Sequence, residues 1–408
     1  MIAIVLMFLI GCGRPAADKK RFSVWKNNFQ QMLSDEEVKS EIDQKTKRVH
    51  LFLNNEHLDG ILLTQVRNFY WITAGLGNNQ IVLNKDNGAA SLLIMKDGSR
   101  HLICSGSESG RLMDEALGRL GYQLHIYNWY EANPTKDIRG DIIKEISKGG
   151  KIGSDVPFPG TTLLDTRFKK LRYSLTDSEL KRYRWLGKQT TEAVAEVCRE
   201  VQPEMDEYEI EAMTAGALRS RGIIPTVLLS AVDDRIIKYR HALPGGAKLQ
   251  KYAMINVVAE KWGMPIAVTR FVHFGPLPDE LSQKIEKTAK VNAQVEEATV
   301  PGKSCADIFE LYKQWYAEAG YPDEWKKHHQ GGAIGYDDRE FVIYPKVEET
   351  VQERQAFAWN PTITGTKVEN TIIAFKDHIE VVTTSDDWPM IKIELNGKTY
   401  PQPGILIR

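Results

Sequence analysis

The sequence predicts an α+β protein: a mixed α/β domain over residues 45–172, then a domain over residues 173–408 in which helix pairs wrap a curved antiparallel sheet. Three observations carry this reading. A chain of 408 residues exceeds what one ordinary core organises, so two domains are expected. Up to Arg172, short apolar runs alternate with helical stretches. Beyond it stand long capped helices and the segment MINVVAEKWGMPIAVTRFVHFG, Met254 to Gly275, which has the pattern of a β-hairpin.

In chain order, DGILLT, ASLLIM, RHLIC, YQLHIY and KIGSDV read as short strands, with helical stretches at Val49–Leu58, Gly110–Leu120 and Asp137–Ile146. Thr176 and Glu179 form a capping-box pattern before Tyr183, Thr190, Val194, Val197 and Val201 at helical spacing. Pro203 stops that helix, and Asp206 with Glu209 caps a second one running to about Arg221. The hairpin follows, turning at Gly263-Met264-Pro265, with Asn256, Thr269, Arg270 and His273 inside its apolar strands. Polar groups there need partners, because burying them unpaired is costly. Helices over Asp279–Thr299 and Ser304–Ala319 come next, the latter with Ile308, Leu311, Trp315 and Ala319 on one face.

Composition excludes some functions. Lys and Arg number 53 against 54 acids, so there is no basic footprint for nucleic acid or for an anionic membrane face. The first residues, MIAIVLMFLIGCG, are apolar but too few to span a bilayer. Their Leu9-Ile10-Gly11-Cys12 ending resembles the lipobox of bacterial lipoproteins. That resemblance implies a signal peptide over residues 1–11, a lipidated Cys12, a polar tether over 12–44 and a place in the bacterial cell envelope. Cys104, Cys198 and Cys305 are then left, an odd number that favours buried free thiols over a disulfide framework.

Six stretches in order resemble the prolidase, aminopeptidase P and creatinase family. They are Tyr239-Arg-His-Ala-Leu-Pro244, Val268-Thr-Arg270, Pro301-Gly302 with Asp307, His328-His-Gln-Gly-Gly-Ala-Ile-Gly335, Ala358-Trp-Asn-Pro361 and Lys367-Val-Glu-Asn370. Asp59-Gly60 and Arg67-Asn-Phe-Tyr-Trp-Ile-Thr73 fit the N-terminal domain of the same branch. The resemblance spans roughly residues 45–385 and implies a C-terminal pita-bread fold and a homodimer.

The family's peptidases hold two metal ions through two Asp, one His and two Glu, a donor set that generates hydroxide near neutral pH. Carried over residue by residue, these positions fall on Asn256, Ala267, Gly332, Asn360 and Glu369. Only the last is a carboxylate. The resemblance thus implies no metal ligand set and no cofactor. His241 falls on creatinase's metal-free base, so His241 and Glu369 are the candidate catalytic residues. Arg270, Arg339, Glu340, Asn256, Asn360, His328 and His329 are candidate contacts to a small peptide or amino-acid derivative. Trp359 is a candidate pocket wall, Asp337 and Asp338 read as surface turn residues, and Arg67 is placed to reach a neighbouring subunit's site. Three functions follow: a pseudoenzyme that binds such a ligand, a metal-free C–N hydrolase, or an Xaa-Pro peptidase with atypical ligands.

Overall fold

The computed structural model describes residues 32–133 and 135–408; Cys12 and the expected signal segment lie outside them. The first helix, α1 (Asp35–Asn55), starts inside the segment expected to be a tether. The reason is legible locally. Ser34 and Glu37 form a reciprocal capping box, and Val38, Ile42, Val49 and Leu53 recur on the buried face.

A six-stranded mixed sheet follows, in the order β4 (Gln123–Tyr127), β3 (Arg100–Ser105), β2 (Asn87–Met95), β1 (Gly60–Gln65), β5 (Ile152–Ser154), β6 (Thr162–Leu163). The second domain opens with two long helices, α2 (Asp177–Glu200) and α3 (Glu207–Arg219), both with the capping boxes the sequence predicts. Two sheets follow. One has the order β19 (Ile405–Ile407), β9 (Met264–His273), β8 (Tyr252–Lys261), β7 (Ile224–Val232). The other is β11 (Phe341–Val342), β10 (Gly331–Ile334), β12 (Gln355–Trp359), β15 (Asn370–Ala374), β16 (Ile379–Val381), and two two-stranded ladders stand apart, β13 (Thr362–Ile363) with β14 (Thr366–Lys367) and β17 (Met390–Leu395) with β18 (Lys398–Pro403). Apart from β19, which runs parallel to β9, neighbouring strands in both are antiparallel. Helices α4 (Asp279–Ala298) and α5 (Cys305–Glu318) pack beside each other and complete the pita-bread arrangement.

The hairpin turns at Trp262-Gly263 rather than at Gly263-Met264-Pro265. Both turn residues have positive φ, 59° and 74°, which suits the twist of a two-residue turn and leaves Met264 and Pro265 free to enter β9. The hairpin is joined to the second sheet by Thr371, whose Oγ1 accepts from the Ala267 amide (3.0 Å) and donates to the Ala267 carbonyl (3.1 Å). One apolar cluster spans both parts of the chain: Leu63, Phe69 and Leu92 belong to the same cluster as Tyr183, Val194, Val257 and Val268. At their junction Lys45 contacts Glu41 (2.5 Å) and Glu179 (2.7 Å), Arg182 contacts Glu41 (2.6 Å), and the Tyr336 hydroxyl donates to Glu179 (2.7 Å). Cys104, Cys198 and Cys305 are buried free thiols, as the cysteine count predicts.

Candidate functional site

Three strands converge on one carboxylate. Asn256 on β8 stands opposite Thr269 on β9, so both side chains share a face. Glu369 directly precedes β15, and its carbonyl accepts from the Thr269 amide at 3.4 Å. Its Oε2 receives hydrogen bonds from Asn256 Nδ2 and from Thr269 Oγ1, the latter at 2.6 Å. Trp359 pairs with Asn370, so one further step in the antiparallel register sets Asn360 opposite Glu369. Asn256, Thr269, Asn360 and Glu369 are all nearly inaccessible to solvent.

Positive charge flanks this floor. Lys367 Nζ lies 3.7 Å from Glu369 Oε2, and Arg339 reaches Glu369 Oε1 at 3.8 Å. Burial works against ionisation of Glu369, but Lys367 and Arg339 prevail and hold its carboxyl below the usual carboxylate range. Burial pulls Lys367 below the ordinary ammonium range, against the opposing pull of Glu369. Lys367 is not among the site residues expected from the sequence. The signal was present, because residues two apart in an extended segment point to the same side, and Lys367 and Glu369 are such a pair.

Three imidazoles form the rim. His241 Nε2 and His328 Nε2 are 2.9 Å apart, and the His328 and His329 rings stack at 4.2 Å between centroids. Partial burial, then the charge of Lys367, lowers His241 and His328; partial burial, then Arg339 and Lys367, lowers His329 to about 4. Each ring is thereby held toward its neutral form. Three buried polar atoms here have no hydrogen-bond partner among the described residues: His328 Nδ1, Arg339 Nε and Asn360 Oδ1. No group of three or more His, Cys, Asp or Glu side chains among the described residues is arranged to hold a metal ion.

Two expected contacts are not in this site. Arg270 is the neighbour of Thr269 on β9 and therefore points to the other face. There it donates to the carbonyls of Thr269 and Thr383 (2.8 Å each) and lies over the Trp388 ring. Glu340 is drawn away by Arg172, which it meets at 2.5 Å in the domain junction, where Lys169 also donates to its carbonyl. Trp359 is no pocket wall: it is fully buried, stacks on Phe357 and donates from Nε1 to Thr299. Arg67 pairs with Asp337 of its own chain and, at 3.5 Å, with Asp86. These residues line a cavity of about 220 Å³ between the domains, together with Glu260 and Asp338. Asp338 is part of that wall rather than a free turn residue.

The loop carrying Arg339 is therefore fixed on both sides. Tyr336 binds Glu179, Asp337 binds Arg67, and Glu340 binds Arg172. The domain junction, not the sheet alone, positions the arginine.

A family model described as metallopeptidase family M24 matches residues 181–387. An uncharacterized peptidase of Staphylococcus epidermidis is 22% identical over 151 residues. That match covers 35% of this chain and 43% of the relative, so the chain spans less than half the length of the curated relatives it matches. Among solved structures, a prolidase from Pyrococcus horikoshii aligns with a TM-score of 0.68 at 17% identity, covering 84% of this chain and 99% of that one. An Xaa-Pro dipeptidase from Bacillus anthracis aligns with a TM-score of 0.68 at 18% identity, covering 90% and 100%. At these identities the structural likeness establishes the fold.

Proposed function

Because the chain belongs to metallopeptidase family M24, we propose that it keeps the family's cleft for a small peptide or amino-acid derivative and binds it without a metal ion. One observation carries this reading: the buried Glu369 carboxylate is held by Lys367, Arg339, Asn256 and Thr269. A pair of divalent ions needs several negative ligands to offset its charge. Here a single carboxylate stands between two cationic side chains, and the other positions the family resemblance marks are Asn256, Ala267, Gly332 and Asn360. The donor set does not fit the metal pair. The protein is then a binding member of its family rather than a metallopeptidase.

A second reading has its own support. His241 and His328 are in mutual contact, and burial and Lys367 hold His241 toward the neutral form that can accept a proton. Beside the cations, that is the equipment of a metal-free C–N hydrolase. The proposal extends to location and assembly: a lipid anchor at Cys12 in a bacterial envelope and a homodimer, supported by the Leu9–Cys12 pattern and the family resemblance. No helix among the described residues is long and apolar enough to cross a membrane.

The test is elemental analysis of the purified full chain after dialysis against cobalt, manganese or zinc, with thermal shifts across amino acids and dipeptides. Well under about one bound equivalent is expected, together with stabilisation by some of these compounds. Two tightly held equivalents with Xaa-Pro cleavage would replace this reading by the peptidase one. Turnover of a C–N bond without metal would establish the hydrolase.

A further inference from the structure

We propose that Glu296 is a proton-operated latch: with its proton on, it holds the C-terminal β17–β18 hairpin against α4, and loss of the proton loosens that hold.

Helix α4 buries Glu296 at 1% exposure, and the carboxyl reaches other elements through amide side chains alone. Asn292, one turn earlier on α4, donates from Nδ2 to Glu296 Oε1 (2.8 Å) and to Gln402 Oε1 (2.6 Å). Gln402 on β18 donates from Nε2 to Glu296 Oε2 (2.6 Å). Asn370, the first residue of β15 and the neighbour of Glu369, adds a third side-chain hydrogen bond. Thr383 Oγ1 donates to Asn370 Oδ1 (3.2 Å), which leaves the Asn370 amino group for that contact. One carboxyl thus joins a helix, the hairpin and the strand beside the cleft floor.

No cation among the described residues offsets its charge. The titratable groups that face it are Tyr312 on α5 and Tyr400 on β18, and burial raises both phenols, so neither brings charge near neutral pH. Lys392 and Glu394 on β17 and Lys398 on β18 are exposed, Glu297 is taken by Asn396, and Lys367 on β14 turns to Glu369. Strands β12, β13 and β15 carry no charged side chain. Asn292 Oδ1 is buried with no donor, so a half-turn of that amide offers the protonated carboxyl an acceptor.

Burial without a cation outweighs the amide donors and raises Glu296 to about 7. The hairpin is suited to local opening, because β17 and β18 pair only with each other and their outer residues are exposed. Water reaching Glu296 in the opened hairpin returns it to its ordinary value of 4.5. The closed form therefore binds the proton more tightly than the open one, and between these values rising pH drives opening.

The experiment is amide hydrogen exchange of the purified full chain at pH 5 and pH 8, corrected for the intrinsic pH dependence of exchange and read on peptides from β17–β18. The opening constant of the hairpin should be about tenfold or more higher at pH 8. Glu296→Gln keeps the shape of the neutral state, so its hairpin should open equally at both pH values. If that variant does not fold, Glu296→Met with Gln402→Met removes both ends of one hydrogen bond and should show the same flat profile. Equal opening of the wild-type hairpin at the two pH values, or a rise that persists in the neutral variant, overturns the latch. A rise shared equally by β8 and β9 overturns its confinement to the hairpin.

Discussion

His241 and His328 face each other Nε2 to Nε2 at 2.9 Å, so one ring must donate and the other accept. That contact requires at least one neutral imidazole. Partial burial and the neighbouring cations depress His328 and His329, so below the ordinary imidazole value of about 6.5 the unfolded chain binds more protons than the folded one. Their stabilising contribution is complete above that pH and is lost as the pH falls toward about 4, the folded value of His329. The melting temperature should therefore drop between these limits, and less steeply in His328→Asn. An identical acid limb in both proteins would show that the imidazoles are not held neutral by the fold.

Arg172 and Glu340 are buried together at the domain junction, with 3% and 0% of their side chains exposed. Removing one partner of such a pair strands a charge and typically costs about 3–5 kcal/mol. Arg172→Met should show a loss of that order in denaturant titration. Arg172→Met with Glu340→Met should recover more than half of it. Ligand binding by the double variant should persist at reduced affinity, because Glu340 fixes the loop rather than touching the ligand. Complete loss of binding in a folded double variant would return Glu340 to the cleft.

Much of the fold was legible because it follows local rules. Thr176 with Glu179 and Asp206 with Glu209 announced their helices, and the apolar runs about Asn256 and Thr269 announced the hairpin. The grouping of Asn256, Thr269, Asn360 and Glu369 needed the family resemblance to be seen, because it depends on which strands become neighbours. Arg270 was misplaced for want of strand parity: Thr269 faces Glu369, so the adjacent residue cannot. Glu340 and Arg172 are far apart in sequence, and no periodicity reports a pairing made by two domains docking.

Asn256 donates to both Glu369 and Thr269 Oγ1, so Asn256→Asp replaces a shared donor by a second buried carboxylate. Losing a hydrogen bond to a charged group costs about 1.5–3 kcal/mol, and like-charge repulsion adds to it. The variant should be less stable than wild type at pH 7. The gap should narrow toward pH 5, because repulsion raises the pKa of the carboxylate pair and one member takes up a proton. Urea titrations at the two pH values measure this. Millimolar cobalt should leave the gap unchanged, since Lys367 and Arg339 oppose a divalent ion. Recovery of stability with cobalt would mean that the cleft retains a cation site.

Gly332 occupies the position where the family resemblance puts a metal-binding histidine, and β10 and β11 leave it no room for a side chain. A Cβ built there would lie 2.1 Å from the Phe341 carbonyl oxygen and 2.9 Å from the Val342 Cα. Both obstacles are backbone atoms of the paired strand, which no rotamer change can move. Overpacking that a side chain can absorb costs about 1–3 kcal/mol. A clash with paired backbone must separate β10 from β11 and should cost more. Gly332→Ala is the sharper test than Gly332→His, because it adds one methyl and no charge. It should lower the melting temperature substantially, with Gly332→His failing to fold. Wild-type stability in Gly332→Ala would mean that the two strands part easily, and that the packing of this sheet does not require a glycine at position 332.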